Sequence, residues 1–156
     1  MRVQLRMTLD CAPDDAWDAL HDPGVFAAAS FPWLTFRPLA PAVLPDRWAH
    51  TVYPVQALLL GVLPVGEQEI RLSARRVGDA RILEDSGGPT FGLLTLVRGW
   101  RHRMAVSPAP GGRTLFRDRL DVHAGIATPA VWFGLWLLWQ WRASRIRSLA
   151  RAFGED

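Results

Sequence analysis

The chain has 156 residues, 49% hydrophobic and 21% charged, with a net charge of +3, a balance that excludes a disordered polar chain and allows a substantial core. All 18 basic side chains are arginine; apart from Arg142, Arg145, Arg147 and Arg151 they are scattered, without a docking motif, so no nucleic-acid partner is expected. Cys11 is the only cysteine, which excludes an internal disulfide and a thiolate zinc site and fits a reducing compartment.

Residues 2–9, RVQLRMTL, place Val3, Leu5, Met7 and Leu9 on one side and Arg2, Gln4, Arg6 and Thr8 on the other. That alternation predicts a half-buried strand and is not the continuous apolar core of a secretion signal. Asp10 or Cys11 then precedes a helix opening APDDAWDAL, with Pro13 early and Asp14 and Asp15 where the positive end of the helix dipole favours carboxylates. Trp17 and Leu20 give it an inner face. His21-Asp22-Pro23-Gly24 is turn chemistry, and VFAAAS predicts a second short helix ending before Phe31-Pro32-Trp33.

From Leu34 to His123 the pattern is strand after strand: LTFRPL, RWAHTVYPV, GEQEIRLSARRV, ARILED, LVRGWRHRMAV and RTLFRDRLDVHA, separated by Pro, Gly and Asp signals. Several runs alternate apolar with charged residues, as an antiparallel sheet with one wet face requires. ALLLGVLPVG at 57–66 is an apolar run in need of burial, and SGGPTFG at 86–92 reads as a sheet turn or a cavity entrance. A long helix closes the chain. Ala124–Trp141 carries no charge, but with Pro129 in the first helical turn only about 13 apolar helical residues remain, roughly 20 Å against a hydrocarbon core of about 30 Å. A membrane span is not expected. The order predicts one α+β domain over 1–156, its helices segregated to one side of an antiparallel sheet.

That order, with APDDAWDAL after the first strand, WRHRMAV at 100–106 and GGRTLFRDRL at 111–120, resembles the START-like or Bet v 1-like superfamily, also called SRPBCC or polyketide cyclase/dehydrase-like proteins. The resemblance spans essentially the whole chain, although no single motif is diagnostic. It implies a helix-grip fold: a curved antiparallel sheet of about six to seven strands wrapped around the long C-terminal helix, with an apolar cavity between them and two short helices after the first strand. Members bind lipids, sterols, polyketides, quinones or hormones, and a minority catalyse cyclisation or dehydration, so fold alone does not fix function.

Strand alternation places Trp100, His102, Met104 and Val106 on one face, and Thr114, Phe116, Asp118, Leu120 and Val122 on one face of the next strand. His102 and Asp118 are polar residues within apolar sets; brought together they form a satisfied polar pair, a ligand handle, or a general acid/base pair. On the terminal helix Trp132, Leu135, Leu138, Trp139, Ile146, Leu149, Ala150 and Phe153 form one stripe. Arg142 falls inside it and needs a partner: Asp118, Glu84 or the acidic head of a ligand, unless its head snorkels to the rim. Phe133, Leu137 and Trp141 lie opposite, a surface for a membrane, a second copy or a covering loop such as 57–66. Glu84 and Asp85 point to opposite faces, so only one looks inward. His21 and His123 read as surface residues, and no metal site or cofactor motif is found.

The leading expectation is therefore a cytoplasmic protein, peripheral at most to the inner membrane face, that binds a hydrophobic or amphipathic small molecule. Trp100, Met104, Trp132, Leu135 and Trp139 would supply walls, and His102, Asp118 and Arg142 the orienting polar groups. The alternatives are a cyclase/dehydratase-like enzyme using His102 and Asp118, and a peripheral membrane or partner-binding module.

Overall fold

The computed structural model describes residues 1–154. In chain order the elements are β1 (Arg2–Leu9), α1 (Pro13–Leu20), α2 (Pro23–Ser30), β2 (Leu34–Pro38), β3 (Val52–Leu59), β4 (Leu63–Val77), β5 (Ala80–Asp85), β6 (Gly88–Gly92), β7 (Gly99–Ala109), β8 (Arg113–His123) and α3 (Thr128–Leu149). A 3-10 turn at Leu93–Leu96 links β6 to β7. Prolines open all three α-helices, where their missing N–H costs nothing. The Asp22 carboxylate accepts from the Gly24 amide and caps α2. At the entrance of α3 the Thr128 hydroxyl accepts from the Ala124 amide and donates to the Gly125 carbonyl.

The strands form one antiparallel sheet in the order β1-β8-β7-β5-β4-β3-β2, with β6 also paired to β4. This is the expected helix-grip architecture with one strand more than the alternation indicated. The eighth, β6, comes from the stretch read as a turn or entrance, whose Gly and Pro content hides a strand. β3 begins at Val52, five residues beyond the start of the predicted run RWAHTVYPV. Residues 47–51 are held otherwise: the Trp48 amide donates to the His21 carbonyl and the Ala49 amide to the Tyr53 hydroxyl.

β4 is long enough to pair β3 through its first two thirds while meeting β6 and then β5 along its other edge. Between those two partners the chain turns a corner at Ser86–Gly87. There the Asp85 carboxylate accepts from the amides of Arg71 and Gly87, replacing ladder bonds that the corner interrupts. A side chain at Gly87 would place its Cβ within 1.9 Å of the Glu69 carbonyl oxygen, so only glycine fits.

The core lies between the sheet and the helices. Inner-facing Met7, Leu9, Leu83, Val106 and Phe116 meet Ala143 and Ile146 of α3, Ala150 just after it, and Ala16 and Ala29 of the short helices. A second cluster under the first half of α3 joins Val3, Leu120 and Val122 to Trp139. Among the described residues no helix is long and apolar enough to cross a membrane.

His21 departs from the surface position expected of it. It is buried against Trp17, whose carbonyl pairs with its Nδ1 at 2.9 Å. His123 is exposed, as expected.

Candidate functional site

The Pro108–Gly112 turn sets β7 against β8 so that Met104 pairs with Asp118 and His102 with Leu120. His102 and Asp118 are therefore diagonal neighbours on the inner face, and His102 Nε2 lies 2.8 Å from Asp118 Oδ1. Asp118 is fully buried. Burial by itself would raise its carboxyl, but the charge and hydrogen bond of His102, the charge of Arg142 and the indole N–H of Trp139 outweigh that and hold it below 3.8. An ionised Asp118 only accepts, so His102 Nε2 donates to it and Nδ1 is left for the interior. Trp139 Nε1 donates to the same Asp118 oxygen at 2.9 Å.

Two neighbouring chambers occupy the space between sheet and helices. The outer one, about 260 Å³, is walled by Phe26, Phe36, Trp100, Leu135, Leu138 and Trp139, and by Pro89, Leu93 and Val97 of the β6 region. The inner one, about 50 Å³, reaches under α1 and α2 to Leu20, Met104 and Phe116. Phe26, Ile70, Asp85, His102 and Arg142 border both and so form a waist. Three of those five are polar; the rest of the lining is apolar apart from Ser30 and Gln68 of the outer chamber.

Arg142 sits at this waist, 5% exposed. Its Nη1 donates to the Ser30 hydroxyl at 2.8 Å, and that hydroxyl in turn donates to the Phe26 carbonyl. The guanidinium carbon lies 5.2 Å from the Trp139 ring centre and 5.9 Å from that of Phe26, within cation–π range. Burial lowers its proton affinity and the Asp118 charge opposes that; a guanidinium nevertheless stays ionised at working pH. Glu84 is not its partner. It lies on the outer face of the sheet between Arg75 and Arg101. The head does not snorkel to the rim either.

Asp85, adjacent to Glu84 and so on the opposite face, is the inward-looking member of that pair. Both are buried. Besides its two backbone donors it accepts from Trp100 Nε1 at 3.1 Å. Trp100 is thereby fixed at the outer chamber, edge-on to Trp139 with ring centres 6.1 Å apart. Of the expected walls, Trp100, Leu135 and Trp139 line the outer chamber and Met104 the inner one. Trp132 lines neither: its Nε1 donates to the Arg2 carbonyl and its ring packs over β1, because the helix stripe is wider than the cavity beneath it. Asp118 stands behind His102 and Trp139 and borders neither chamber.

Alternation missed Ser30, Phe26 and Asp85 as site residues. Ser30 and Phe26 stand on a short helix dominated by small apolar residues, where periodicity carries little information. Asp85 had a signal, its strand parity opposite to Glu84, but no indication of which face was inner.

The outer side of α3 is exposed at Phe133 and Leu137, and Phe133 stacks with Trp136 at 6.2 Å. Trp141 is partly engaged within the fold: its Nε1 donates to the Phe31 carbonyl and its ring meets Trp33 edge-on. Segment 57–66 does not cover this face. It forms the β3–β4 hairpin, with Leu60, Val62 and Leu63 exposed. Only Leu59 reaches the groove that it shares with Trp33, Leu137 and Trp141.

No protein-family model matches the chain and no curated protein matches it in sequence. Solved structures do. A Chromobacterium violaceum protein of a structural-genomics programme is 15% identical with a TM-score of 0.64, covering 96% of each chain. A Thalictrum norcoclaurine synthase point mutant, solved with a transition-state analogue, is 13% identical with a TM-score of 0.60, over 96% of this chain and 93% of its own. The AHSA1-like protein of Aeromonas hydrophila is 15% identical with a TM-score of 0.59, over 100% and 96%. At such identities the likeness is one of architecture: the chain has the helix-grip fold of the START-like, Bet v 1-like group.

Proposed function

We infer that the protein binds a hydrophobic or amphipathic small molecule between the sheet and α3. The observation that carries this reading is the outer chamber, about 260 Å³ with an apolar lining and three polar groups at its waist, the make-up typical of a ligand pocket. A cavity bounded by Phe36, Leu135, Leu138 and Trp139 favours a hydrocarbon or ring body, and the waist orients one polar end. Native mass spectrometry of the purified chain, then organic extraction, tests the reading. A stoichiometric apolar passenger supports it. An empty chain whose melting temperature no lipid, quinone or polyketide raises would overturn it.

A second reading rests on the 2.8 Å contact between His102 and Asp118. A carboxylate that orients an imidazole at the edge of a cavity is the arrangement a general acid/base requires. Here the protein is a cyclase/dehydratase-like enzyme in which Asp118 positions His102 and His102 moves the proton. A His102→Gln variant that keeps its affinity for a turned-over compound but loses turnover supports it; unchanged turnover removes it.

The apolar rim favours a bilayer as the ligand's source. Phe91, Leu93 and Leu96 on one side of α3, Val62 and Leu63 at the hairpin, and Phe133 and Leu137 on α3 itself are all more than half exposed. The segments carrying them are uncharged; the exposed Arg98 directly follows one of them and the exposed Arg37 pairs across the ladder with Gln56 beside the hairpin, both suited to anionic headgroups. The triple variant Phe133→Ser, Leu137→Ser, Val62→Ser should stay folded and lose co-sedimentation with phosphatidylglycerol vesicles. Equal co-sedimentation by the variant, or none by the parent, overturns the bilayer reading.

A further inference from the structure

We propose that the ligand of this cavity is an organic acid, its carboxylate received by Arg142 at the waist and its apolar body in the outer chamber. This rests on the ligand-binding reading above and narrows it to a chemical class.

Arg142 lacks a full set of partners. Its Nε is buried without a hydrogen-bond partner, and the ion pairs among the described residues do not include it. One nitrogen is satisfied by Ser30, a neutral hydroxyl. The aromatic rings of Phe26 and Trp139 contribute attraction to its faces but accept nothing at its edge. A charged donor left unpaired in an apolar interior is costly, and a buried cation without a contacting counter-ion more so.

The surrounding carboxylates do not fill this role. Asp118 acts on Arg142 through its field, but neither of its oxygens is within ion-pair distance: Oδ1 serves His102 and Trp139, and Oδ2 is buried without a partner of its own. Asp85 borders both chambers and is held by the amides of Arg71 and Gly87 and the indole of Trp100. Glu84 is on the far side of the sheet. Arg142 therefore lines the cavity with Ser30 as its one hydrogen-bond partner among the described residues and its charge uncontacted.

A neutral carbonyl or alcohol would satisfy the orphaned N–H and leave the charge as it is. A phosphate would bring more charge and more acceptors than one guanidinium and an apolar chamber can hold. A carboxylate matches the planar guanidinium edge, brings one negative charge, and leaves the rest of the molecule free to be apolar. Asp85 on the same waist repels the head and so directs it to the Arg142 side.

Isothermal titration of the purified chain at pH 8 with sodium decanoate and with decan-1-ol tests this, since the two share a tail and differ in the head. Decanoate should bind at least about tenfold more tightly, the range of a charge-assisted hydrogen bond. Arg142→Met should remove that preference, bringing the two affinities together, and Arg142→Lys, which keeps the charge without the fork, should fall between. If decan-1-ol binds the parent as tightly as decanoate, or the preference survives in both variants, the acid-head assignment is wrong and the hydrophobic-cavity reading stands. If neither compound binds, both fall. The parent comparison is decisive by itself should Arg142→Met fail to fold.

Discussion

Asp118 keeps a charge at zero exposure, where an isolated carboxylate would cost several kcal/mol. Two donors on one oxygen and the field of Arg142 make that position tenable. Asp118→Ala leaves a buried guanidinium and imidazole without counter-charge and should destabilise the fold by about 3–5 kcal/mol, measured as a lower urea midpoint at unchanged slope. Two of the buried titratable groups, His21 and Asp118, contribute to the acid sensitivity. Burial lowers the His21 pKa below 6.5, against the opposing hydrogen bond to the Trp17 carbonyl, so on acidification the unfolded chain takes up that proton first. Stability is full above pH 6.5 and falls as pH drops below it, until His21 protonates in the fold as well. The Asp118 carboxyl is held below 3.8, so its contribution is present above that pH and is lost as pH falls through the lower folded value. Melting temperatures from pH 8 to pH 3 should show both losses, and His21→Leu should flatten the upper one. His102 and Asp118 were legible from alternation because each stood alone in an apolar set. The burial of His21 was not, because it depends on the 47–51 segment crossing over it.

The corner between β5 and β6 decides the shape of the cavity wall at the level of elements. Asp85 closes the corner with its carboxylate and Gly87 allows the backbone of β4 to approach. Gly87→Ala drives a Cβ into the Glu69 carbonyl and should cost about 2 kcal/mol or more through backbone strain. Gly88→Ala, whose Cβ meets open space, should be far milder; thermal unfolding of the pair checks both. The existence and order of the long strands followed from period-two patterning, which strengthens with length. β6 and the true start of β3 did not, since a five-residue strand rich in Gly and Pro, and a loop that happens to alternate, invert that signal.

For the molecule as a whole, the proposed ligand binding rests on unfilled space. Leu135 faces the outer chamber from α3, and Leu135→Trp should fill much of it. Such overpacking costs on the order of 1–3 kcal/mol, so the chain should remain folded by circular dichroism while any passenger detected by native mass spectrometry disappears. Retention of the passenger at full stoichiometry would place its binding elsewhere.

The sequence by itself determined the architecture: strand parity, turn residues and the amphipathic stripe are local, and they agree on a sheet with α3 laid across it. It also marked Arg142 as anomalous, since a permanently charged residue within an apolar helical stripe is visible without coordinates. Tertiary structure alone decided how that anomaly is resolved. Strand register brought Asp118 to His102 and Trp139 rather than into an ion pair with Arg142, strand parity sent Glu84 outward, and α2 supplied Ser30 from more than a hundred residues away. Whether a space remains among these groups is a sum of side-chain volumes over the whole fold, a quantity that no local pattern carries.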